Sequence, residues 1–180
     1  MRSRPLRSTP LALRSGMKIG IVDRVAGDGK GGWSDQGPDN DMSALKPGEL
    51  SLNGLKFEIV DPAKNGGRSC IAMKSERMAG MPQSVAVEFE KPSRGKYLYV
   101  LHALSFPGKK GTEVGEIACR LDSIEAVEKQ TLLFPVVSGV HVGDFWMPRD
   151  REKGIVAWRG SNVSAPVGLY ATCYELTGEP

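Results

Sequence analysis

From residue 50 onward the apolar residues of this chain come in short runs, each ended by Gly, Pro, Asn or Asp, and none carries the three-to-four-residue repeat of an amphipathic helix. Leu55–Val60 alternates apolar and polar and stops at Asp61-Pro62, and Asn65-Gly66-Gly67 supplies a turn before Ser69–Met73. Ser84–Phe89 places Val85, Val87 and Phe89 on one face, with Lys91-Pro92 after it. Tyr97–Leu104 is denser and suits a strand covered on both faces. Val114–Leu121, Thr131–Val137, Ile155–Trp158 and Val167–Tyr174 complete the series. This spacing predicts an all-β fold of about nine short strands in a two-sheet antiparallel sandwich. Helix-forming composition is confined to Ser123–Lys129, too short to stand alone.

Composition bounds the alternatives. Glycine and proline together make up 34 of 180 residues, which calls for many turns, while 40% hydrophobic content is enough for a core. Disorder, collagen and coiled coil are excluded, there is no internal repeat, and no apolar run approaches the roughly 18 residues that a membrane helix needs. The length fits one domain, expected over residues 11–176, with a basic tail at 1–10 and an end or junction to a further domain at 177–180.

The net charge of +3 is uneven. Arg2, Arg4, Arg7, Arg14 and Lys18 stand without any acid among the first 18 residues, which leaves 19 bases against 21 acids, or −2, for the rest. A body of that sign offers no basic face for phosphates, so neither nucleic acid nor membrane is an expected partner. Pro10–Leu13 is too short an apolar stretch for a signal peptide and Arg14 interrupts it, so the chain as given carries no export signal. Cys70, Cys119 and Cys173 are odd in number, lack CxxC spacing and lie in strand-like runs, which reads as small buried hydrophobes.

One segment does not fit a sheet. Gly27–Asp41 holds five glycines, one proline and four aspartates around Trp33. A phosphate loop is excluded by the order of residues, because no helix follows Gly27-Asp28-Gly29-Lys30-Gly31-Gly32. Asp28, Asp35, Asp39, Asn40 and Asp41 are hard oxygen donors, and Asp28 and Asp39 are taken as the ligands of a structural calcium ion. The plain alternative is that these side chains cap turns by accepting from their own backbone.

Catalytic patterns are absent. There is no GxSxG or HExxH, the two histidines do not stand at metal spacing, and nothing selects an acid pair. His102, inside an apolar strand, reads as a hydrogen-bonded core residue. No catalytic residue and no enzyme activity is therefore expected. The tryptophans carry more. A sugar ring stacks its C–H face on a flat aromatic while Asp, Asn, Gln and Arg bond its hydroxyls. Trp33 stands among Asp35, Gln36, Asn40 and Asp41, and Trp158 precedes Arg159. Trp33, Asp35, Asn40 and Asp41 form the first candidate glycan site, and Trp146, Trp158 and Arg159 the second. Burial in a sandwich core is the competing role for each tryptophan.

Gly27–Asp41, Phe57–Ile71, Leu101-His102-Ala103, Gly139–Trp146 and Val167-Gly168-Leu169-Tyr170 together make a pattern covering roughly residues 10 to 175. It resembles the non-catalytic β-sandwich domains, similar to galactose-binding-like jelly rolls and carbohydrate-binding modules, that are appended to bacterial glycoside hydrolases and other polysaccharide-degrading proteins. The resemblance implies a jelly roll and a secreted or periplasmic parent protein. It also implies two partners, a polysaccharide or oligosaccharide and a neighbouring catalytic domain. A structural spacer without ligand is the alternative, and glycoside hydrolase activity of the chain's own is a further one.

Overall fold

The computed structural model describes residues 8–30, 32–89, 93–121 and 130–176. Residues 1–7, the helix candidate Ser123–Lys129 and residues 177–180 lie outside the described residues. The chain is mostly β in antiparallel sheets, with single turns of 3-10 helix at Arg14–Gly16, Pro38–Asn40 and Pro62–Lys64. The strands are β1 (Gly48–Leu52), β2 (Leu55–Ile59), β3 (Tyr97–His102), β4 (Glu113–Leu121), β5 (Gln130–Val137), β6 (Gly154–Ser161) and β7 (Pro166–Glu175). They form a β1-β2 hairpin, a β3-β7-β6 sheet and a β4-β5 pair.

The chain divides into two compact units, Met1–Pro92 with Gly160–Val167, and Ser93–Arg159 with Gly168–Pro180. In the first, β1 and β2 pair with Leu52 opposite Leu55, so their connection is the two residues Asn53 and Gly54. Both take positive φ, 49° and 86°, as the mirror-image turn between twisted strands demands. The core of this unit gathers Ile19, Ala72 and Met78, with Trp33, Cys70 and Met81 packed on them. In the second unit β3 runs beside β7 from Tyr97 opposite Glu175 to His102 opposite Tyr170. Val142, Phe145, Tyr170, Ala171, Thr172 and Tyr174 are buried there.

Two expected strands do not form. Ser69–Met73 makes a single bridge, Cys70 to Ile19, because the amides of both Ser69 and Cys70 converge on the Ile19 carbonyl. Ser84–Phe89 makes no ladder: Val85 and Val87 close over Gly16, whose missing side chain leaves the room, while Phe89, expected on the same face, is exposed. Asn65-Gly66-Gly67 does turn the chain, with φ of 61° and 81° at the glycines, but it closes the Pro62–Lys64 turn and joins no hairpin. Cys173 also departs from expectation. It is exposed, because on β7 it alternates with the buried Thr172 and Tyr174. Cys70 fits its reading, burial pushing its thiol up to about 12.

Candidate functional site

In the first unit the Gly27–Asp41 loop is organised by carboxylates. Asp23, almost wholly buried, accepts from the Val25 amide through Oδ1 (3.3 Å) and from the Gly37 amide through Oδ2 (2.8 Å). Asp41 accepts from the Asp23 amide at 3.1 Å and the Ser43 amide at 2.9 Å. Asp35, at φ 50°, accepts from Gly29, and Asp28 accepts from Lys30. Such bonds to charged acceptors satisfy backbone donors that a glycine-rich segment cannot place in a ladder. Turn capping therefore engages each of these four aspartates, while the second carboxylate oxygen of Asp35 is buried without a hydrogen-bond partner among the described residues.

Carboxylate oxygens of Asp23, Asp28 and Asp35 lie within 4.8 Å of one another. The structure thus places Asp28 in an acidic group, but with Asp23 and Asp35 and not with Asp39, which is exposed on the Pro38–Asn40 turn. Asp23 lies four residues before the segment that drew attention in the sequence, and only its burial reveals it. Asp23→Ala is expected to cost about 2 kcal/mol, since the buried Gly37 amide and the part-buried Val25 amide both lose their acceptor. The check is a urea midpoint that falls at unchanged slope.

Trp33 is part-buried against Ile19, Ala72 and Met78, and its amide donates to the Gly20 carbonyl at 3.0 Å. Asn40 is turned inward, its side-chain amide donating to the Gln36 carbonyl at 3.1 Å. The first candidate group is thus held in one loop, with Trp33 serving the core and Asp41 spent on backbone amides. A cleft of about 290 Å³ elsewhere in this unit is lined by Arg14, Gly48, Glu58, Asp61 and Lys64, none of them a candidate site residue from the sequence. Arg14 pairs with Glu58 there, and Lys64 with Asp61 at 3.8 Å.

Trp146, Trp158 and Arg159 belong to the second unit. Three backbone bonds pin the segment that carries Trp146: Leu104 to the Gly143 carbonyl (3.0 Å), Phe145 to the Leu104 carbonyl (2.9 Å) and Gly168 to the Phe145 carbonyl (2.8 Å). Phe145 is buried and meets the half-buried Trp146 edge to face. The Trp146 amide donates to Asp144 Oδ1 at 3.1 Å. Burial raises the Asp144 carboxyl above its ordinary range, against the Trp146 amide and Arg151, which lower it. Arg159 Nη1 donates to the Pro148 carbonyl at 2.7 Å. Trp158 is half-buried on β6.

Tyr170, fully buried, braces the segment: its hydroxyl donates to the Asp144 carbonyl at 3.0 Å and accepts from the Arg149 amide at 3.3 Å. The Arg151 guanidinium lies 5.9 Å from the Tyr170 ring centre and close over Gly143, where a β-carbon would meet its Nε at 2.5 Å. Asp144, Arg151 and Tyr170 were not selected from the sequence. Tyr170 stood in a recognisable strand, but no spacing there reports that its hydroxyl reaches a loop 26 residues upstream.

Comparison with family models, with curated proteins and with solved structures gives no match.

Proposed function

We propose that this chain is a non-catalytic carbohydrate-binding module of the jelly-roll type, an accessory to a polysaccharide-degrading enzyme in an exported protein. The observation that carries the reading is the Gly143–Met147 segment. It offers a half-buried tryptophan beside a carboxyl group on backbone fixed by three hydrogen bonds, and Met147 at its end is exposed and takes φ 48°. Rigid presentation of an aromatic face next to a polar group is what stacking on a sugar ring requires. His102 and His141 both spend ring nitrogens on structural hydrogen bonds, which favours binding over acid–base chemistry for this chain.

The test is affinity electrophoresis against plant, algal and host polysaccharides. Retardation by one polymer class is expected, with Trp146→Ala weakening it at least tenfold while circular dichroism is unchanged. Full retention of binding in Trp146→Ala would sink this site. Absence of retardation for the parent chain on every polymer would leave the spacer reading, which the packing of Trp33 on Ile19, Ala72 and Met78 favours.

A further inference from the structure

His141 closes a small ring of hydrogen bonds at the end of β5. Its backbone amide donates to the Val137 carbonyl at 3.0 Å, and its imidazole Nδ1 accepts from the Val137 amide at 3.1 Å. An amide can only donate, so Nδ1 is unprotonated and the imidazole is the neutral form with its proton on Nε2. Between the two residues the turn is completed by Val140 to the Val137 carbonyl at 3.2 Å and Gly139 to the Val142 carbonyl at 2.7 Å. The next residues, Gly143 to Met147, are the segment that carries Asp144 and Trp146.

We propose that His141 is an acid-released latch: neutral, it holds the Val137 amide and closes the turn; protonated on Nδ1, it lets Val137 go and loosens the chain leading into Gly143–Met147. The proton comes from solvent and makes Nδ1 a donor, so two N–H groups then face each other and one must leave. The freed Val137 amide then turns to solvent, because carbonyls of the turn are already engaged: that of Val137 by the Val140 and His141 amides, that of Val142 by the Gly139 amide and that of Val140 by the Lys153 amide.

The surroundings favour the closed, neutral form. His141 is buried, and desolvation holds its imidazole below the ordinary value, with Lys153 adding to the effect and Glu152 opposing it. Both of these flank the start of β6. From β7 the Tyr174 ring stands 5.9 Å from the imidazole. From β3, His102 is linked to the His141 carbonyl through the Thr172 hydroxyl. The open turn takes its proton at an ordinary imidazole value of about 6.5. Acid therefore raises the open population by up to tenfold per unit from about pH 6.5 down to the lowered value of the closed turn, where the gain stops.

The experiment is amide hydrogen exchange of the full chain by nuclear magnetic resonance, from pH 7.5 to 5, corrected for the intrinsic pH dependence of exchange. The expected result is loss of Val137 protection in acid while the β7 amides paired with β3 stay protected. His141→Asn places a non-titrating oxygen where Nδ1 stands, and its Val137 protection is expected to be flat with pH. A pH-independent Val137 amide in the parent chain, an identical acid loss in His141→Asn, or loss of β7 protection in step with Val137 would each overturn the latch. Should the variant not fold, the parent chain decides alone: Nδ1 protonation and Val137 release with one midpoint support it, and separate midpoints overturn it.

Discussion

Gly154→Ala is expected to lower the unfolding free energy by about 3 kcal/mol or more, read as a fall in the urea midpoint at unchanged slope. A β-carbon at residue 154 would stand 1.9 Å from the His141 carbonyl oxygen, 2.8 Å from its carbon and 3.2 Å from Thr172 Oγ1. The first two are backbone atoms and cannot rotate away. They are also held in place: the Thr172 hydroxyl donates to that same carbonyl at 2.6 Å, Lys153 donates to the Val140 carbonyl at 2.9 Å, and Arg151 donates to the Gly154 carbonyl at 2.7 Å. Admitting a methyl group means moving the backbone at His141 apart from β6 by more than an ångström, and that breaks bonds on both sides. Gly115→Ala is the control, since nothing lies within 4 Å of a β-carbon there and its effect is expected to stay within about 0.5 kcal/mol. Equal stability of the two variants would show that the His141 carbonyl does not sit against Gly154.

That close approach also shows where reading the sequence reaches its end. Leu55–Val60, Tyr97–Leu104, Val114–Leu121, Thr131–Val137, Ile155–Trp158 and Val167–Tyr174 were legible because alternation or a short dense apolar run, bounded by turn residues, is a local property, and strands stand at each of them. β1 was overlooked although Asn53-Gly54 between Leu52 and Leu55 is the strongest short hairpin signal. Its apolar content, Leu50 and Leu52, is simply thin. Ser84–Phe89 shows the opposite error: a loop that packs Val85 and Val87 on Gly16 uses the first part of the alternation without a partner strand, and Phe89 is left exposed.

The candidate site was legible to the same depth. Gly27–Asp41 announced itself by composition, whereas Asp23, which holds that loop from outside it, differs from other aspartates only in being buried. In the second unit Trp146 was visible as an aromatic residue, but its setting is made by Tyr170 and Gly143, and neither reach across the fold nor the space left by a glycine has a local sequence signal.

Acidification from about pH 6.5 to about pH 4 is expected to remove up to about 3 kcal/mol of stability through His102 alone. The side chain lies between β3 and β7, where its Nε2 is 2.8 Å from Thr172 Oγ1. The single hydroxyl proton of Thr172 goes to the His141 carbonyl, so His102 must donate from Nε2, and Nδ1 is the atom that an added proton reaches. Burial, reinforced by His141, lowers its value from 6.5 to about 4. The unfolded chain therefore binds a proton that the folded chain refuses throughout this window, and stability falls as the pH falls. Above about pH 6.5 the contribution is complete, and below about pH 4 both states are charged and nothing more is lost. Asp144 acts in the opposite direction, because its raised value makes the folded chain bind a proton before the unfolded one does. Its influence sets in as the pH falls towards that raised value and is complete near the ordinary carboxylate value of about 4, so it offsets part of the loss at the bottom of the window. His102→Gln retains a donor close to the position of Nε2 without a titrating ring, so the slope of stability against pH between 4 and 6.5 is expected to flatten in it. Urea midpoints of both chains at half-unit steps measure that slope, and equal slopes would place the acid sensitivity outside β3. The two histidines separate by variant and by readout: His102→Gln reports on the slope of global stability, to which the lowered value of His141 also adds, whereas release of the Val137 amide reports on His141.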